Sequence, residues 1–217
     1  MPPSRQVEEP GAPLAGVHQE LQFAKANDLS VYGALNYHGM PGLTVGGSIF
    51  HGSSLHDNAD FKSDPSLPDF SDINAPITLW DVHARWQANG LDLQAVYARG
   101  KFGDAGAMDN VIDAYNAANG TDLPLVPDAF FGWYGQAAYT VWDNGQMSLT
   151  PFVRYEEFDT QDKMPSGFVA DPENADNLTT AGLSFKPDPS VVLKLDYQAF
   201  GDHSENDRVN VGVGYQF

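Results

Sequence analysis

The stretch DRVNVGVGYQF, residues 207–217, decides how the rest of the sequence is read. Val209, Val211, Val213, Tyr215 and Phe217 fall on one parity, and Arg208, Asn210, Gly212, Gly214 and Gln216 on the other. Side chains of a strand point alternately to its two surfaces, so this segment is a strand with one wholly apolar face. Such a face needs a cover, which is a second sheet, a layer of helices or lipid.

Working outward, eight more runs share the alternation: 29–39, 43–52, 77–88, 91–100, 129–142, 147–158, 177–186 and 191–200. Tight links join some of them: Met40-Pro41-Gly42, Asn89-Gly90, Asp143-Asn144-Gly145-Gln146 and Pro187-Asp188-Pro189-Ser190. These carry residues that supply a positive φ or a fixed proline φ, and Asn89-Gly90 is the strongest hairpin signal. The other links, 53–76, 101–128, 159–176 and 201–206, are mostly long, polar and Asp-rich. Short turns at one end and long loops at the other are the asymmetry of an outer-membrane barrel, whereas a soluble sandwich mixes loop lengths at both ends. The runs also match the about 9–11 residues that a tilted spanning strand needs. The expected fold is therefore all-β, an antiparallel up-and-down transmembrane β-barrel over 29–217, with 1–28 a peripheral segment or loop.

Composition agrees. The chain has 217 residues, 12% of them aromatic, with 21 Gly and 15 Pro, a mix richer in aromatics and glycine than a helical protein needs. A formal charge of -18 argues against nucleic acid as a partner. The absence of cysteine excludes a disulfide scaffold and a thiolate metal site. No apolar run reaches the about 18–20 residues of a spanning helix. The opening MPPSRQVEEPGAPLAG lacks the basic patch and apolar segment of an export signal.

Parity assigns the two faces. In 77–88, Trp80, Val82, Ala84, Trp86 and Ala88 oppose Leu79, Asp81, His83, Arg85 and Gln87. An Arg at the bilayer midplane costs about 2–4 kcal/mol, so the Trp face looks outward to lipid. The same polarity recurs in the later runs. The expected pore-lining residues are Asp81, His83, Arg85, Asp92, Arg154, Glu156, Lys186, Lys194, Asp196 and Arg208. Aromatics gather near strand ends, with Trp80, Trp86, Trp133, Trp142 and Tyr197 as an expected membrane girdle. Pro151 cannot donate a ladder hydrogen bond and predicts a bulge or a strand start.

Three segments, LTPFVRYEEFDTQDKMPSGF (149–168), VVLKLDYQAF (191–200) and DRVNVGVGYQF, resemble the C-terminal part of the bacterial outer-membrane porin superfamily that includes the phosphate-selective porins. VYGALNYHGMPGLTVGGSIFHG (31–52) and TLWDVHARWQANGLDLQAVYARG (78–100) resemble porin-like proteins of the same group. The likeness covers roughly residues 20–217. It implies a barrel of about sixteen strands, often a homotrimer, that passes small solutes passively through the outer membrane. It also implies a terminal aromatic signal, here Tyr215 and Phe217, read by the outer-membrane assembly machinery. Nine strands and no leader depart from that pattern, and single-chain bacterial barrels have even strand numbers. The chain is accordingly expected to be the C-terminal portion of the barrel.

Inward charges of both signs either set up a transverse field that tunes ion preference or satisfy one another as cross-strand pairs. Acidic residues fill the loops: Asp57, Asp60, Asp64, Asp69 and Asp72; Asp104, Asp109, Asp113, Asp122 and Asp128; Asp159, Asp162, Asp171, Glu173 and Asp176. They predict either a weakly cation-preferring mouth or a solvated surface beside lipopolysaccharide and divalent ions. DNVIDAYNAANG (109–120) has helical spacing, with Val111, Ile112 and Tyr115 on one side, and is either a surface cap or a segment folded inward. No HExxH, GxSxG or phosphate-cradling loop is present, and no enzyme activity, cofactor or metal is expected. The alternative to a passive channel is a non-conducting structural or adhesion barrel with acidic extracellular loops.

Overall fold

The computed structural model describes residues 29–53 and 67–216. The segment 1–28, the acids Asp57, Asp60 and Asp64, and Phe217 lie outside the described residues. Each alternating run forms a strand: β1 (Val31–Met40), β2 (Leu43–Ser53), β3 (Pro76–Ala88), β4 (Leu91–Phe102), β5 (Ala129–Tyr139), β6 (Trp142–Asp143), β7 (Ser148–Lys163), β8 (Ala175–Asp188), β9 (Val191–Phe200) and β10 (Arg208–Tyr215). Among the described residues a single α-helix, α1 (Ala105–Asn119), stands between β4 and β5.

All strands join one antiparallel sheet in the order β1-β2-β3-β4-β5-β7-β8-β9-β10, with β6 on β7. The sheet is open: β1 and β10 each have one neighbour among the described residues. The turn chemistry explains the hairpins. Asn89 (φ 50) and Gly90 (φ 83) both take positive φ, as a two-residue turn matched to strand twist requires. In the turn after β6, Asn144 Oδ1 accepts from the N–H groups of Gln146 and Met147.

The run 129–142 is two strands instead of one. Between the pairs Ala138↔Phe152 and Trp142↔Leu149, three residues (Tyr139, Thr140, Val141) oppose two (Thr150, Pro151). That is a bulge, and Pro151 sits in it, where ladder bonding is already interrupted. Register also steps between strands joined by long connections. Leu43, the first residue of β2, pairs with Trp86, two residues before the end of β3, and Ser148, the first of β7, pairs with Lys186, two before the end of β8. Steps of this kind are the stagger that tilted strands need.

The two faces differ throughout. On one, Trp80, Leu193 and Val211 are 37%, 40% and 79% exposed, together with Val82, Trp86, Val153, Tyr155, Leu183 and Leu195. No described element covers this surface. The small buried core lies elsewhere, under α1. Ala105 and Met108 of the helix pack on Ala75 and Phe102, with Phe70, Ile73, Ile77, Val126 and Phe130 around them. Phe102, Phe130 and Ile77 occupy the polar-face parity of β4, β5 and β3. Helix α1 therefore rests on the polar face at the long-connection end, and Gly120 (φ 65) ends it by returning its N–H to Asn116 O.

The buried side of α1 is Ala105, Met108, Asp109 and Ile112, so of Val111, Ile112 and Tyr115 only Ile112 is fully inside. The helix begins four residues before the segment 109–120 that the spacing suggests, and Ala105 and Met108 of its first turn pack on Ala75 and Phe102.

Candidate functional site: the polar face of the sheet

Register brings the polar parity of every strand onto one surface. Asp81, His83 and Arg85 on β3 lie beside Asp92 on β4. Arg154 and Glu156 on β7, Lys186 on β8, Lys194 and Asp196 on β9 and Arg208 on β10 continue that surface across the sheet. All ten residues share it, although they are spread over strands rather than gathered at one point.

Most of these charges have partners. Arg85 donates from Nε to Asp92 Oδ1 at 3.0 Å and from Nη2 to Oδ2 at 2.5 Å, and Gln87 and Gln94 also donate to Asp92. Arg154 pairs with Glu156, two residues along the same strand, with Nη2 to Oε1 at 3.0 Å. Lys194 stands 3.6 Å from Asp196, which also accepts from Asn210 at 2.9 Å. His83 is held by both ring nitrogens, to Asp81 Oδ1 at 2.8 Å and Asn36 Oδ1 at 2.9 Å, while Ser48 donates to the other Asp81 oxygen. Arg208 donates to Gln198 at 2.7 Å.

The cations of β7, β9 and β10 also lie over aromatic rings. Arg154 is 3.8 Å from the Tyr134 centroid, Lys194 4.6 Å from Phe152 and Arg208 5.4 Å from Phe200. Such contacts fix the direction of a flexible cation. Glycines make two of the long reaches possible. Lys194 meets Phe152 across β8 because Gly182 lies between; a Cβ there would be 2.7 Å from Phe152 Cε1 and 2.6 Å from Asp196 Cβ. Gly46 leaves the same gap in β2, beneath the bond joining Asn36 of β1 to His83 of β3. A shallow concavity of about 300 Å³ opens on this face, lined by Asp92, Gln136, Ala138, Thr150, Phe152, Ser184 and Lys194.

The five aromatics expected as a girdle share the opposite face. Trp80, Trp86 and Trp133 occupy it by register, Trp142 joins it opposite Leu149, and Tyr197 faces it from β9. Trp80 is 5.4 Å from Tyr97, Tyr97 6.3 Å from Phe131 and Trp133 5.4 Å from Tyr155. The phenol of Tyr197 donates to Asp207 at 2.6 Å, and Trp133 Nε1 donates to Glu157 at 3.2 Å. Tyr215 ends β10 on the same face.

Sequence reasoning missed a group at the long-connection rim of this face. Lys101 and Lys163 both pair with Ala129, one from each side, and Arg99 two residues below is bound to Asp162 and lies over Phe131. The signal was available: in LDLQAVYARGKF, Arg99 and Lys101 have the apolar parity and stand at the loop end of the strand.

Asp109 is not part of an acidic mouth. It is fully buried on the sheet side of α1, where Oδ1 accepts the Val126 N–H at 2.7 Å and Oδ2 has no partner among the described residues. Burial pushes its carboxyl up to about 6; the Val126 bond opposes the rise and the Asp128 charge adds to it. On the loop after β9, His203 bonds Asp176 at 2.8 Å, which raises the imidazole above its ordinary value.

No family model matches the chain. It is similar to a protein of Aquifex aeolicus (strain VF5) described as an uncharacterized protein, 28% identical over 211 residues. That alignment covers 95% of this chain and 45% of the relative, so the chain spans about half the length of the curated relative it matches.

Proposed function

We propose that the chain is part of an outer-membrane porin, with its apolar face against lipid and its polar face along a passive channel for small hydrophilic solutes or ions. One observation carries the reading: a nine-strand meander in which one face holds ten charged or imidazole side chains and the other exposes Val, Leu and Trp without a protein cover among the described residues. In water such a continuous apolar surface is an aggregation hazard, while in a bilayer it is satisfied. Lys101 and Lys163 at the loop-side rim suit the phosphates of lipopolysaccharide.

Closure needs more strands. β1 and β10 both run from the long-connection end toward the short turns, so an antiparallel circuit takes an odd number of further strands between them. About sixteen in total, assembly by the outer-membrane machinery and a homotrimer belong to the same proposal. Because Arg85, Arg154 and Lys194 are already paired with carboxylates, and Arg154, Lys194 and Arg208 are laid on rings, they do not form a free ladder for anions, and the expected selectivity is weak. The test is conductance of the intact protein in planar bilayers: discrete steps with modest cation preference support the channel. Helix α1 on the polar face favours a second reading, a non-conducting structural or adhesion barrel, and silence in that assay with loop-dependent binding would replace the first.

A further inference from the structure

Helix α1 is held on the polar face by a small apolar cluster and by a polar contact at Asp109, while Asn116 near its end donates to Leu123 O and accepts from Leu123 N–H. The cluster is Ala75, Phe102, Ala105 and Met108, and the contact is the Val126 N–H on Asp109. A carboxylate with no exposure and one oxygen lacking a partner among the described residues is an expensive group to keep ionised, since it has lost water and gained a single donor. Among the described residues no cation offsets it. Asp128, on the segment leading into β5, is the charged group that bears on it, and it has the same sign. The other titratable groups of the packed elements are acids too: Asp104 and Asp113 on the helix or its cap, Asp69 and Asp72 ahead of β3, and Asp122 ahead of Asp128. Lys101 of β4 has the parity of the opposite face, and Lys163 meets this region through its backbone carbonyl, which accepts from Asp128 N–H.

We propose that Asp109 is a proton-operated latch: neutral, it seats α1 on the polar face, and ionised, it loosens the seat. The sign follows from linkage. The carboxyl titrates near its ordinary value when the helix is lifted into water and at about 6 when seated, so acid favours the seated state and the advantage is lost as pH rises through about 6. That the seated helix narrows a channel rests on the reading above; the latch itself does not.

The test is hydrogen–deuterium exchange of the amides of 105–119 in the folded full chain, with wild type and Asp109→Asn compared at each pH so that intrinsic exchange chemistry cancels. Between about pH 5 and about pH 7.5, linkage gives a rise of about tenfold in helix opening for wild type relative to Asp109→Asn. Asp128→Asn, which removes a repelling charge at the surface of the site, should move the wild-type transition to lower pH and is decisive if the Asp109→Asn chain does not fold. Identical pH dependence in wild type and Asp109→Asn, or an unmoved transition in Asp128→Asn, overturns the latch. Conductance is not part of this readout, so failure to conduct and failure to titrate are distinguished.

Discussion

Replacing Leu195 by arginine separates lipid from water as the neighbour of the apolar face. Leu195 stands in the middle of β9, in register with Leu183 on β8 and Val211 on β10, and is 51% exposed in the chain alone. If that exposed half meets water, the substitution trades one solvated surface side chain for another, and the cost stays within about 0.5 kcal/mol. If it meets hydrocarbon, an Arg near the midplane costs about 2–4 kcal/mol. The separation between the two cases is several times the error of an unfolding measurement. Denaturant unfolding of the chain refolded into phospholipid vesicles reads it directly, because Trp80, Trp86, Trp133 and Trp142 all lie on this face and report its environment by fluorescence. Gln136→Arg, on the polar face beside Asp92, is the control and should change little. A Leu195→Arg chain as stable in vesicles as wild type would refute the lipid-facing assignment.

Other consequences are open to the same methods. Gly182→Val should cost about 1–3 kcal/mol by overpacking against Phe152 and Asp196, whereas Gly135→Ala, with nothing within 4 Å of the added methyl, should fall near wild type in the same unfolding assay. Glu156→Gln removes the carboxylate that accompanies Arg154; stability should fall by about 1 kcal/mol or less, while reversal potentials in bilayers should move toward anions. The His203 bond to Asp176 should hold the loop 201–207 fully below the ordinary histidine value of 6.5 and release it as pH rises through the raised one. Exchange of those amides should accelerate accordingly, and His203→Ala should be fast at every pH.

Period-2 alternation and turn chemistry are local, and they are enough to place the strands, the hairpins at Asn89-Gly90 and Pro189-Ser190, and the shared face of the ten charged residues from Asp81 to Arg208. A side chain's face follows from covalent geometry, so Arg85 and Trp86 were bound to part company whatever else the chain did. Partnership is different. That Lys194 meets Phe152 over Gly182, or His83 meets Asn36 over Gly46, depends on register across strands whose connections do not set it. The bulge opposite Pro151 split the run 129–142 into two because that run carries one residue more than its partner there. Asp109 looked like one more solvated loop acid, since its burial is imposed by residues near 75, 102 and 126 that the helix reaches only after the sheet has formed. Which surface is polar and which apolar is thus written locally along the chain. Which groups on those surfaces end up paired, stacked or sealed from water is settled by folding, because those outcomes belong to contacts between segments far apart in the sequence.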